Sequence, residues 1–178
     1  MLRMNGEWGQ FEDEYATKSA TKWLWLSVFI VVVDQITKFW ASHRLELYEP
    51  LSVMPMVNFT LIHNTGAAFS LLNEAGGWQR WLFVFLALAV SLFIAYWLTQ
   101  LTSDRHWFAC ALALILGGAV GNLWDRLTHG YVIDFIDVYY GDWHWPAFNV
   151  ADSAITVGAL MLLLDALKKD EEDEETPE

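Results

Sequence analysis

The sequence predicts an all-α polytopic membrane protein: four transmembrane helices with a small β-sheet element and loop on the extracytoplasmic face. Three observations predict it. The 178 residues are 55% hydrophobic with 11 Trp and 11 Phe, too apolar for a disordered chain and of a length that suits one domain. Four mostly apolar stretches, 23–40, 81–101, 107–123 and 151–167, come close to the ~17–25 residues that a bilayer crossing needs, and each is bounded by Trp, Tyr, Lys or Arg, which favour the headgroup region. Between the first two, VNFTLIHN at Val57–Asn64 alternates apolar and polar side chains as a half-buried strand does.

Taken in order, residues 1–22 carry Glu7, Glu12, Asp13 and Glu14 without an apolar core. That is not the basic-then-apolar layout of a secretory signal, so the first span is expected to be retained behind a cytoplasmic N-terminal extension. Within the first span Asp34 and Lys38 stand four apart, on one helix face where they can pair. Pro50 and Pro55 interrupt the start of the following connection, so its strands should be short or at an edge. The link at 102–106 has room only for a helical hairpin turn. In the third span Gly117, Gly118 and Gly121 permit close helix approach. The single Cys110 excludes an internal disulfide and reads as a packing residue. The segment at 128–148 is aromatic, and its YGDWHWPAF is expected to lie on the headgroups. The fourth span completes a domain at 23–168, and the tail at 169–178, containing DEEDEETPE, is expected to be solvated and disordered. A net charge of −12 disfavours a nucleic-acid partner.

Four spans put both termini on one side, together with Arg3, Lys18, Lys22, Arg105, Lys168 and Lys169; the other side holds Lys38, Arg44, Arg80 and Arg126. This bias favours both termini in the cytoplasm. At about 1.5 Å of rise per residue from the cytoplasmic ends, Asp34 lies roughly 17 Å up, Lys38 and Asn122 roughly 22–23 Å, and Asp125 and Arg126 near 28 Å. The fourth span runs back inward, which puts Asn149 and Asp152 at its outer start, and Asn64 closes the outer loop before the second span. Separated stretches therefore deliver polar groups to one level near the outer face. Ionisable groups at membrane depth cost about 2.5–3.5 kcal/mol each on insertion scales, so they face the bundle interior and mark a functional site.

Structural readings stand beside that one. Asp34 with Lys38 reads as an ion pair tethering helices, and Asp125 beside Arg126 likewise, although Arg126 is also able to hold a substrate carbonyl or a headgroup phosphate. Taken alone, Asn149 and Asp152 are the N-cap and N3 residues of the fourth helix. Asp137, Asp142 and Asp165 read as boundary or solvated acids. His63, His129 and His144 lack metal-site spacing, no serine has a credible base at its depth, and a Gly-rich phosphate loop is missing; neither a metal nor a cofactor is expected. What remains is a pair of carboxylates, Asp134 and Asp152. Two Asp side chains in contact do not readily both ionise, so one keeps a proton to polarise a carbonyl while the other takes a proton from water. The N-terminal end of a helix favours charge on Asp152, leaving Asp134 as the acid. A proton-coupled transporter is the rival reading, but its polar groups belong near the midplane at interrupted helices; a scaffold held by polar ties is the third.

Five ordered motifs carry a resemblance: DQITK at 34–38, NTGAAFS at 64–70, GNLWDR at 121–126, VIDF at 132–135 and FNVADS at 148–153. The chain resembles the lipoprotein signal peptidases (signal peptidase II), bacterial intramembrane aspartyl proteases, over nearly all of 23–167. The resemblance implies removal of the signal peptide from prolipoproteins, cut just before a cysteine carrying a diacylglyceryl group, by a monomeric multi-pass protein of the inner membrane among its lipids. It also implies inhibition by globomycin-type cyclic peptides. Carried onto this chain, the catalytic pair falls on Asp134 and Asp152. Asn64, Asn122, Arg126 and Asn149 fall at site-lining or substrate-holding positions, and Asp34, Lys38 and Asp125 at supporting ones. Water must reach such a site, so the Asn64 loop and YGDWHWPAF are expected to serve as covers.

Overall fold

A computed structural model describes residues 20–66, 77–102 and 104–174, the last six by their backbone alone. Most of the N-terminal extension, residues 67–72 of the expected cover and the last four residues of the tail lie outside this set. A 3-10 turn, Ala20–Trp23, leads into α1 (Leu24–Arg44), followed by β1 (Leu51–Met54), β2 (Val57–Asn64), α2 (Trp78–Gln100), α3 (His106–Thr128), β3 (Val132–Tyr140), β4 (Trp143–His144) and α4 (Val150–Glu174).

The four helices are long and apolar enough to cross a membrane. The 23 residues of α2 rise roughly 34 Å at about 1.5 Å each, a little more than a hydrocarbon core. Its buried Val84, Ser91 and Leu98 recur every seven residues, with Ile94 beside them, while Phe85, Leu92 and Phe93 are more than half exposed. In water such a surface would aggregate; in a bilayer it is the ordinary lipid face.

The central helix is α3, which packs on each of the other three. It lies parallel to α1, since Ser27 Oγ donates to the Ala113 carbonyl at 2.8 Å and Lys38 Nζ reaches Asn122 Oδ1 at 2.9 Å. Against α4 it is antiparallel: Trp107 Nε1 donates to the Met161 carbonyl at one end, and at the other a Cβ on Gly118 would collide with the Ala151 carbonyl oxygen. Gly121 is equally committed, a Cβ there falling 2.7 Å from Asp34 Oδ2. These two glycines let α1, α3 and α4 converge where the polar residues lie.

At that end sits one antiparallel sheet of order β1-β2-β3-β4. The strand expected at Val57–Asn64 forms with those bounds, and β1, behind Pro50 and before Pro55, is a four-residue exposed edge. One face of the sheet packs Leu61, Ile133 and Phe135 onto Ala41 of α1 and Leu45 just after it. The sequence reading left 128–148 without a strand, yet VIDFIDVYY forms the nine-residue β3. Its register with β2 breaks between Phe59 and Ile62. The extra residue lies in β2, where Thr60 and Leu61 stand opposite Phe135; on β3, Asp134 and Asp137 both line one cavity.

α4 runs to Glu174, so the helix continues into the first acidic residues of the tail. Leu, Lys and Glu are good helix formers, and extending an existing helix avoids the cost of nucleation.

Candidate active site

Asn149 is the N-cap of α4 and is fully buried. Its Oδ1 accepts from the backbone N–H of Asp152 at 2.8 Å, and Asp152 Oδ2 accepts from the backbone N–H of Asn149 at 3.3 Å, a reciprocal capping box. The structural reading of these two residues is therefore correct, and it is also what assembles the site. With Oδ1 occupied by a donor, the Asn149 amide must present Nδ2 elsewhere, and it donates to Asp134 Oδ1 at 2.7 Å. One residue thus holds both carboxylates.

Two further asparagines repeat the device. Asn64 Oδ1 accepts from the Gly66 N–H at 3.0 Å, a local turn, which aims Nδ2 at Asp134 Oδ2, 2.9 Å away. Asn122 Oδ1 accepts from Lys38 Nζ, so its Nδ2 faces Asp152 Oδ1 at 2.7 Å. Lysine has only donors, and this fixes the amide orientation. Burial, then the neighbouring Asp152 charge, pushes Asp134 up to about 7, against the pull of its two asparagine donors.

Behind the pair lies a buried ionic cluster. Lys38 Nζ contacts Asp34 Oδ2 at 2.8 Å and Asp125 Oδ2 at 2.9 Å, all three side chains being 1% exposed or less. The expected Asp34–Lys38 pair forms. Asp125 does not pair with Arg126 as expected: consecutive helix residues diverge by about 100°, and Asp125 turns inward to Lys38. Asp34 Oδ1 also accepts from the Ala151 N–H at 2.9 Å, placing a charge from α1 on the N-terminal end of α4. Asp125 Oδ2 accepts from the Ile133 N–H at 3.1 Å and so ties α3 to β3 one residue before Asp134.

Arg126 lines the cavity. Its guanidinium donates to the carbonyls of Asn122 at 3.4 Å and Gly66 at 3.2 Å and lies over Phe83 at 5.1 Å. The cavity, of about 1150 Å³, exceeds what a small ligand needs. It is lined by Ile155, Thr156 and Val157 of α4, by Thr60, Asp137 and His144 of the sheet, and by Trp145 and Pro146 of the YGDWHWPAF segment.

A family model described as signal peptidase (SPase) II matches residues 26–168. The chain belongs to the signal peptidase II family. It is 55% identical over 148 residues to a lipoprotein signal peptidase of Pseudomonas syringae pv. tomato, covering 82% of this chain and 86% of that one. With the lipoprotein signal peptidase of Pseudoalteromonas atlantica it shares 50% over 151 residues, 85% of this chain and 92% of the other. A solved bacterial membrane enzyme superposes with a TM-score of 0.77 at 28% identity, over 88% of this chain and 94% of its own. The protein is accordingly a membrane protease with four spanning helices and a small four-stranded sheet.

Two residues of this peptidase fold escaped the sequence reading. Gln35, inside DQITK, donates to Asp125 Oδ1 at 2.9 Å, to Asp34 Oδ2 at 3.2 Å and to the Gly121 carbonyl at 3.3 Å; only its place beside Asp34 hinted at this. Asp137, read as a solvated acid, is buried, with Asn58, Thr60 and His144 around its carboxylate.

Proposed function

We propose that the chain is an intramembrane aspartic endopeptidase that removes the signal peptide from diacylglyceryl-modified prolipoproteins, cutting before the lipidated cysteine. The observation that carries this reading is Asn149, whose backbone and side chain hold Asp152 and Asp134 together at the wall of one cavity. In the inner membrane, with both termini cytoplasmic, that cavity faces the extracytoplasmic side, at the depth where a signal helix ends and an acylated cysteine is anchored. Asn64, Asn122, Arg126 and Asn149 then line the bound chain, Lys38, Asp34 and Asp125 support them, and a monomer suffices. A globomycin-type cyclic peptide would compete for the same cavity.

In the resting pair Asp152 is the carboxylate. Its capping box, the Asn122 amide and the N-terminal end of α4 all favour charge there. Asp134 holds the proton. Asp152 accepts a proton from water as the oxygen attacks the scissile carbonyl, and Asp134 donates its proton to the carbonyl oxygen. The tetrahedral diol collapses when Asp152 passes its proton to the leaving amine and Asp134 takes one back from the diol. Both groups return to their starting states. The Arg126 guanidinium and Asn64 amide are the donors at hand for the polarised carbonyl.

A pH dependence follows. The acid form of Asp134 predominates below about 7 and is lost above it, so kcat/KM should fall as pH rises through about 7, roughly tenfold per unit beyond the midpoint. Steady-state cleavage of a lipid-modified substrate from pH 5 to 9 measures this. A profile still rising through pH 8 would contradict Asp134 as the acid.

A further inference from the structure

We propose that the sheet side of the cavity is a binding subsite for the polypeptide just beyond the cleaved bond, with His144 as the residue that touches it and Asp137 as the residue that positions His144. The inference rests on the peptidase reading above. Asp137 is 6% exposed, yet it sits in a strand at the polar end of the bundle, where nothing obliges a carboxylate to be buried. Its Oδ2 accepts from Asn58 Nδ2 at 3.1 Å and from Thr60 Oγ1 at 3.4 Å, and its Oδ1 from His144 Nδ1 at 2.8 Å.

A carboxylate only accepts, so the imidazole proton is fixed on Nδ1 and Nε2 is left on the far edge of the ring. The ring is stacked on Tyr139 at 5.4 Å, but the side chain stays 52% exposed. Asp137 and Tyr139 therefore set its tautomer and plane, and it still borders the cavity that contains Asp134 and Asp152. An orienting carboxylate behind a half-exposed imidazole is how proteins present a directed hydrogen-bonding nitrogen. No step of the hydrolysis uses it.

The geometry identifies what it meets. An apolar signal segment approaches from the helices and fits the wall that Ile155, Thr156 and Val157 form; whatever continues past the carboxylate pair crosses the sheet. An extended main chain offers N–H and C=O groups there, and His144 Nε2 is placed to hydrogen-bond one of them.

The test compares two lipid-modified substrates, one ending at the modified cysteine as its amide and one carrying about ten further residues. His144→Asn keeps an amide donor near Asp137 and lacks the outer nitrogen, whereas the longer His144→Gln can place a polar atom near the Nε2 position. With the long substrate, His144→Asn and Asp137→Asn should raise KM roughly three- to tenfold, the worth of one neutral hydrogen bond, at unchanged kcat. His144→Gln should recover most of the loss, and none of the three should alter cleavage of the short substrate. Equal losses on both substrates, or none on the long one, would overturn the subsite while leaving the peptidase reading intact. Failure of the wild type to cleave either substrate would defeat the peptidase reading, and the subsite with it.

Discussion

Replacing either Asp134 or Asp152 by Asn should abolish cleavage, by about 10²–10⁴-fold or more, while the protein stays folded. Losing a positioned general acid or base removes that much on its own, and in this mechanism each carboxyl acts twice, once in each half of the reaction. The substitutions are mild structurally. Asn149 and Asn64 donate to different oxygens of Asp134, at 2.7 and 2.9 Å, so an amide at 134 keeps one of these bonds and loses the other. At 152 its oxygen can still accept from the Asn149 N–H and keep the cap, while the bond from Asn122 Nδ2 is lost, about 1 kcal/mol. The measurement is initial-rate cleavage alongside thermal unfolding and size-exclusion profiles in detergent. Near-normal activity in either variant would reduce that residue to a cap or a loop acid.

The second large effect is on stability. Lys38→Met should destabilise the protein by about 3–5 kcal/mol, the usual result of removing one partner from a buried ion cluster. Asp34 and Asp125, each fully buried, would be left without their shared cation, and Asn122 would lose the donor that sets its amide against Asp152. Neutralising the survivors should restore much of the loss: Lys38→Met with Asp34→Asn and Asp125→Asn should unfold at a higher temperature than Lys38→Met alone. Thermal unfolding in detergent reads both. A Lys38→Met protein as stable as wild type would mean that the cluster contributes nothing beyond packing.

Much of this was legible in the sequence wherever the signal was local. Apolar runs gave the four helices, alternation gave β2, and the spacing of Asp34 and Lys38 gave their pair. Asn149 and Asp152 were legible twice over, as a capping box and as site residues, because the start of α4 is itself the site. What escaped depends on contacts between elements. The partner of Asp125 lies on α1, and no spacing within α3 reveals it. β3 was missed because its two aspartates are three apart, which breaks the alternation expected of a strand. The burial of Asp137 depends on Asn58 and Thr60 of β2 and His144 of β4, and Gln35 matters because α1 and α3 meet around it.

The most direct test of the central claim is to incubate purified wild type with one prolipoprotein in two forms, with and without the diacylglyceryl group on its cysteine, and to locate any cut by mass spectrometry, with Asp134→Asn and Asp152→Asn as blanks. The account predicts a single new N-terminus at the modified cysteine, from the lipidated form only, and no product from the blanks. Cleavage of the unmodified form at a comparable rate, a cut elsewhere, or product from either blank would contradict it.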